Sequence, residues 1–325
     1  MNKETEKFYK VFCKKTQSKN GMWEQRFYTD GKLAPCWGYQ VDETASVVFG
    51  VYEHYKYTKS EKFLKENLQM CEKAIDFLKR YIKDWIEPSL KNENQENQTQ
   101  NSSNLKEHKY HVSYDLWEMC EGVHLYSLAS IYSAFENMLK IYDILGKDIS
   151  DFENNRLKQE KVEKSKKEIE KLQLEIKKYI NKYLYDEEKK SYIRNSEDKK
   201  MDISIIGAVT PFEVFKPKEK KVQNTVERIN LSLRTYTGGY QRFENDNYMN
   251  GNPWPIANLW MTLYYLETGE KKKAKETFDF VIKTAGKHYF LGEQIDNETL
   301  KPNWVIGLGW SHAMFIIVLE KYMGK

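Results

Sequence analysis

A chain of 325 residues can bury a large core, as one big domain or two ordinary ones. Its 52 basic and 48 acidic residues leave a net charge of +4, too mild a balance to indicate nucleic acid or a membrane surface as partner. No run of 18 apolar residues is present and the opening MNKETEKFYK lacks the apolar core of a signal peptide, so a soluble, unexported, cytoplasmic protein is expected.

Helical periodicity begins at 3–16. Val41, Ala45, Val48, Tyr52 and Tyr55 recur at spacings of three and four, in a helix opened by WGYQVDETA (37–45). Phe63, Leu68, Ala74, Phe77, Leu78 and Tyr81 predict the next. Residues 91–107, KNENQENQTQNSSNLKE, are low-complexity and read as a disordered surface insertion. SYDLWE (113–118) reads as the opening of a helix whose rhythm runs over 118–145. Residues 154–190 are charge-dense, with Val162, Ile169, Leu172, Ile176 and Tyr183 forming the single buried stripe of an outer helix rather than a coiled coil. A helix at 220–233 precedes RTYTGGYQRFENDNYMNGN (234–252), a loop too rich in aromatics and charges to be a mere connector. NGNPWPIANLW (250–260) opens a helix over 253–267 with prolines where the first turn tolerates them. Another helix spans 271–285, FLGEQID (290–296) is non-helical, and GLGWSHAMF (307–315) opens the last helix, over 308–323.

The fold class is therefore all-α. Motif-bearing helices alternate with plainer, charged ones. Arranged as inner and outer layers of a ring, they form an (α/α) toroid whose site lies at the rim where inner helices begin. Aromatics make up 14% of the chain, many beside acids and glycines, as in sugar-binding surfaces. Two carboxylates on opposite sides of an acetal suffice for glycoside hydrolysis, one protonating the leaving oxygen and one activating water. The acid needs a partly dry, aromatic wall. Glu118 beside Trp117 fits that role, and Glu293 in the distant FLGEQID fits the base. Arg242 can donate paired hydrogen bonds to sugar hydroxyls, and Trp37, Trp254 and Trp310 can wall the pocket.

Each has a plainer reading. Glu118 could be a first-turn capping carboxylate, Glu293 an ordinary loop acid, Arg242 a surface ion-pair residue, and His124 and His312 structural histidines. Cys13, Cys36, Cys71 and Cys120 have no paired spacing, so reduced thiols are expected rather than disulfides or zinc. No residue pattern indicates a metal or cofactor.

In this order, WGYQVDETA, YDLWE followed by GVH, RFENDNYMNGNPW, GEQID and GLGWSHA resemble the catalytic domain of glycoside hydrolase family 15, the glucoamylase-like enzymes, and most closely their bacterial and archaeal branch. The resemblance runs from about residue 3 to the C-terminus. It implies an (α/α)6 barrel of six-hairpin type formed by residues 1–325, and inverting release of glucose from the non-reducing ends of α-glucosides: maltooligosaccharides, short α-glucans or trehalose. It makes Glu118 the general acid and Glu293 the general base. Arg242 and Tyr248 become sugar-binding residues, as do Trp37, Gln40 and Asp42 of WGYQVDE, Leu116 and Trp117, Trp254 and Trp310. Two departures stand out. Met119 occupies a place where the family carries a second acid, and no WxRD motif opens a first barrel helix. The family's N-terminal β-sandwich is likewise missing, and about ten barrel helices stand where a closed ring needs twelve. A non-catalytic glucan-binding member, or a barrel completed by a second chain, is the alternative expectation.

Overall fold

The computed structural model describes residues 2–91, 108–146 and 156–324. From residue 92 onward the low-complexity insertion lies outside the described residues. The chain divides into two compact units, Met1–Tyr183 and Leu184–Lys325, and each is built around a helix that is apolar on nearly all sides.

In the first unit that helix is α6 (Leu125–Gly146), which buries Leu125, Leu128, Ile131, Phe135, Met138 and Ile141 on a broad face, leaving Glu136, Lys140 and Asp143 on a narrow outer flank. Such a helix must be wrapped, and α3 (Val41–Thr58), α4 (Glu61–Trp85) and α7 (Arg156–Tyr183) pack on it. α4 is amphipathic, with Phe63, Ile75, Phe77, Leu78 and Ile82 inside, and Ser60 caps it by accepting from Phe63 N at 3.2 Å. α7 buries Ile169, Leu172, Ile176 and Ile180 in one stripe and turns its charges outward, as expected for an outer helix. Lys166 there reaches Asp143 at 2.6 Å and Lys171 reaches Glu87 at 3.3 Å. The short α5 (Glu87–Lys91) follows α4. At the start of the chain, α1 (Asn2–Lys7), a π-helical stretch (Phe8–Cys13) and α2 (Lys14–Thr16) run on as one rod. Trp23 secures the loop after it, with Nε1 donating to Cys13 O at 2.9 Å and the backbone N to Thr44 Oγ1 at 3.1 Å. Gly21, at φ +101°, is obligatory there, since a Cβ would stand 2.1 Å from Lys73 O.

In the second unit the wrapped helix is α9 (Pro255–Thr268), buried from Pro255 to Tyr265. Pro255 occupies its first turn and Gly269, at φ +81°, ends it. α10 (Lys271–Thr284) and α11 (Gly309–Tyr322) pack on it, closing a core of Leu259, Leu263, Phe278, Val281, Leu291 and Val318. α8 (Lys220–Ser232) packs on β2, the second strand of a hairpin β1 (Tyr185–Asp186) to β2 (Ser191–Tyr192).

Two findings depart from the sequence reading. The helix expected to open at SYDLWE opens seven residues after Glu118, at Leu125. Residues 113–122 instead close a turn, with Tyr114 bridging to Glu121 and Glu118 at φ +60°, a conformation no right-handed helix admits. Short antiparallel strands also accompany the helices: besides β1–β2, β3 (Gly292–Ile295) pairs with β4 (Pro302–Ile306). Strands this short leave no alternation to read in a helical background. No helix among the described residues is long and apolar enough to cross a membrane.

Leu78, fully buried on α4, gives a direct test of this core. Leu78→Ala is expected to destabilise the protein by about 2–5 kcal/mol, read as a lower urea midpoint at unchanged m-value.

Candidate active site

In the first unit the residues singled out by sequence converge on the 113–122 turn. Asp115 organises it: Oδ1 accepts from Met119 N at 2.6 Å and Cys120 N at 3.1 Å, and the backbone O accepts from Glu118 N at 3.0 Å. The WGYQVDE segment is fastened alongside. Tyr114 N donates to Tyr39 O at 2.8 Å, Val41 N to Ser113 Oγ at 3.1 Å, and Gln40 Nε2 to Asp115 O at 2.7 Å. Gln40 also accepts from Gln25 Nε2. Asp42 is buried and accepts from Ser127 Oγ at 3.1 Å. Gln40 and Asp42, expected as sugar contacts, thus have side chains engaged in holding the turn and the α3–α6 packing. Leu116 is half-buried and Trp117 buried. Trp37, expected to wall a pocket, stands 74% exposed. His124 is buried, its Nε2 3.1 Å from Cys120 O.

Glu118 rises from this frame on a left-handed residue, its side chain 22% exposed. Its partner is Arg26, which no motif indicated: Nη2 donates to Oε1 at 2.6 Å and to Oε2 at 2.8 Å. A second carboxyl, Glu43 in the first turn of α3, is also felt here. Burial first, then the charges of Asp42 and Glu118, push Glu43 up from 4.5 to about 8, with Arg26 opposing. Burial likewise lifts Asp42 from 3.8 to about 6.

In the second unit the aromatic loop and the β3–β4 hairpin make another cluster. Arg242 and Asp246, both nearly inaccessible, form a forked pair, Nε to Oδ2 at 2.8 Å and Nη2 to Oδ1 at 2.9 Å. The guanidinium carbon lies 5.1 Å from the Phe243 ring, 5.0 Å from Tyr248 and 4.8 Å from Trp254. Asp246 Oδ1 also accepts from Tyr248 N at 3.1 Å. The hairpin bearing Glu293 is tied to this loop: Ile295 N donates to Pro253 O at 2.8 Å, Asn252 Nδ2 to Gln294 Oε1 at 3.2 Å, and Asn297 N to Asn252 Oδ1 at 3.2 Å. Gly292 is required where the hairpin bulges, as a Cβ would approach Gln294 O to 2.7 Å. Ser311 Oγ donates to Gly292 O at 3.1 Å, and Leu291 N donates to His312 Nε2 at 3.1 Å, fixing the start of α11. Trp310 meets Trp254 edge-on at 6.3 Å, and Trp304 meets Tyr248 at 6.4 Å. Glu293 is half-buried, and its charge adds to the burial that raises the Tyr248 hydroxyl. This unit therefore gathers Arg242, Tyr248, Trp254, Glu293 and Trp310, and adds Asp246 and Trp304 to the sequence reading. Asp246 is legible as the i+4 acid of RFEND; Trp304 carries no signal in the sequence.

Residues 1–305 match the glycosyl hydrolase family 95 catalytic domain. The chain is similar to an uncharacterized glycosyl hydrolase of Methanocaldococcus jannaschii, 30% identical over 319 residues, which is 94% of this chain and 45% of that protein. It is also similar to Trehalase 1 of Sulfolobus acidocaldarius, 25% identical over 136 residues, 41% of this chain and 24% of that protein. The chain thus spans less than half the length of either relative. Among solved structures, the family 15 glucoamylase from Hypocrea jecorina shares the fold with a TM-score of 0.71 at 13% identity, covering 99% of this chain and 60% of that one. The motif resemblance to family 15 has its counterpart in this shared helical toroid, while the family matched in sequence is family 95.

Two outcomes follow from the site geometry. Asp246→Ala removes the carboxylate forked onto the buried Arg242 guanidinium and is expected to destabilise by about 3–5 kcal/mol in urea unfolding. Glu43 and Asp42 keep protons in the folded state that the unfolded chain releases, so their contribution is complete only below the unfolded values of 4.5 and 3.8 and fades as pH rises toward about 8 and about 6. Urea midpoints measured from pH 4.5 to 8.5 are expected to fall across that window, and to fall less in Glu43→Gln.

Proposed function

The chain belongs to the glycosyl hydrolase family 95 catalytic-domain family, and from that premise we propose that it is an inverting glycoside hydrolase releasing glucose from the non-reducing ends of α-glucosides. Glu118 is the general acid and Glu293 the general base. Short α-glucans, maltooligosaccharides and trehalose are the substrates, and the cytoplasm is the site of action. The observation that carries this reading is the presentation of Glu118: a carboxylate lifted on a left-handed residue at the tip of a turn, beside buried Trp117. Backbone strain of this kind gathers at functional positions. Supporting it are the aromatic-boxed, oriented guanidinium of Arg242, the shared fold of a family 15 glucoamylase, and the likeness to a trehalase.

The chemistry follows from the groups in hand. Glu118, protonated, gives its proton to the glycosidic oxygen as the C–O bond breaks. Glu293 takes a proton from the water that attacks the anomeric carbon from the opposite face, so the configuration inverts. Arg242, held rigid by Asp246, and Tyr248 supply donors to the glucose hydroxyls, and Trp254 and Trp310 supply ring faces to its C–H surface.

A second reading, a glucan-binding member whose barrel a second chain completes, is favoured by the apolar stripe of α11, where Ile316 and Ile317 are 53% and 51% exposed.

The test is hydrolysis of maltose, maltotriose, isomaltose and trehalose by the purified chain, followed by proton NMR of the first-formed glucose. β-Glucose is expected first. Glu118→Gln and Glu293→Gln should each lower kcat by about 10²–10⁴, and the double variant should be no worse than the poorer single one, because the two act as a unit. Full activity in either single variant removes its assignment. Glucan binding without hydrolysis favours the second reading.

A further inference from the structure

The Asp115-centred turn fixes the backbone of Glu118 but leaves open where its carboxylate points. Arg26 settles that. Its anchoring is unusual for a half-exposed arginine: on one side Gln25 is bonded to Gln40, on the other Phe27 bridges to Leu33, and Arg26 O accepts from Ala34 N at 3.1 Å. The segment is thus clamped to the same WGYQVDE stretch that braces the turn, and one guanidinium nitrogen reaches both oxygens of Glu118. We propose that Arg26 is a positioning residue for Glu118, holding its carboxylate aimed from the turn until a bound glycoside opens the pair, with Glu43 the second carboxyl beside them. This rests on the reading of Glu118 as the acid.

A general acid must carry a proton when the glycosidic bond breaks, and a carboxylate forked onto an arginine does not offer one. The pair must therefore open or be shared in the complex. Arg26 is built for that: its side chain is 45% exposed, so it can swing from Glu118 to the hydroxyls of a leaving-group sugar without unpacking anything. Glu43 from α3 feels the charges of both Glu118 and Arg26; Asp42, and through it Asp115, and Tyr126 from α6 lie beyond it. With Glu43 retaining its proton up to about pH 8, Arg26 meets one carboxylate rather than two at neutral pH. The place where the resembled family carries a second acid is filled by Met119, 49% exposed, which leaves Arg26 as the polar side chain shown bonded to Glu118.

The experiment compares Arg26→Gln and Arg26→Lys with the wild-type chain. The carboxyl carbon of Glu118, identified by the signal lost in Glu118→Gln, is observed by ¹³C NMR at pH 7 without substrate. Its line should move in Arg26→Gln, with Arg26→Lys restoring most of the difference. On maltotriose, Arg26→Gln should lower kcat about tenfold with melting temperature unchanged, while α-glucosyl fluoride, whose leaving group needs no proton, should be hydrolysed at close to the wild-type rate. A line that does not move in Arg26→Gln, or an equal loss on both substrates, overturns the proposal. A moved line with Glu118→Gln fully active on maltotriose leaves Arg26 bound to Glu118 but refutes the acid assignment beneath it.

Discussion

Burial of two helices that are apolar on nearly every face governs this molecule. α9 is buried from Pro255 to Tyr265 and α6 along most of its length, with Glu136, Lys140 and Asp143 on a narrow flank toward water, so each must be enclosed. In the first unit α3, α4 and α7 enclose α6, each contributing one apolar stripe. In the second, α10 and α11 enclose α9. A wrapped helix frees only its ends. The polypeptide leading into each one, residues 113–124 into α6 and 242–254 into α9, therefore sits where backbone groups meet both core and solvent. Those two stretches are the ones that carry Glu118 and Arg242.

The polar groups in these approaches are satisfied by short, local devices. Asp115 accepts backbone donors within its own turn, and Asp246 pairs with Arg242 while also accepting from Tyr248 N. Burying a charge is tolerable only when its partner is held in place. The Arg242–Asp246 pair meets that condition through three aromatic rings around the guanidinium. Glu118 is managed differently, by an arginine from a distant segment that is itself half in solvent. The Arg242–Asp246 cluster of the second unit is therefore enclosed, and the Arg26–Glu118 pair of the first is open to solvent on one side.

Much of this was legible in the sequence because helical periodicity is a strong signal. The stripe Ile169, Leu172, Ile176 marks α7 as an outer helix, and the prolines of NGNPWP mark the start of α9. What escaped reading depends on contacts between distant residues. Arg26 and Glu118 are 92 positions apart, so nothing local links them. The turn at 113–122 looks like a helix start because its composition is that of one. The long-range bonds to Tyr39, Gln40 and Val41 draw the chain away from the helix its composition favours. Gln40 and Asp42, read as sugar contacts by motif, are buried, Gln40 donating to Asp115 O and Asp42 accepting from Ser127 Oγ.

Backbone strain occurs at several places in both units. A non-glycine residue with φ near +60° is uncommon and costs of order 1–3 kcal/mol unless its surroundings impose it. Lysines and asparagines in that conformation at turns need little explanation. Glu118, Glu213, Met249, Tyr289, Leu300 and Trp304 are different, since glycine or asparagine would sit there more comfortably. Three of the six lie among the candidate site residues: Glu118 on the 113–122 turn, Met249 in the loop carrying Tyr248, Trp304 against the Tyr248 ring. The strain is tolerable because the frame around it is over-determined, by Asp115 in one unit and by the Asn252–Gln294 and Asn297 bonds in the other. At Glu118 a strained backbone coincides with an arginine bonded to both carboxylate oxygens, and that conjunction, rather than strain by itself, sets this carboxylate apart.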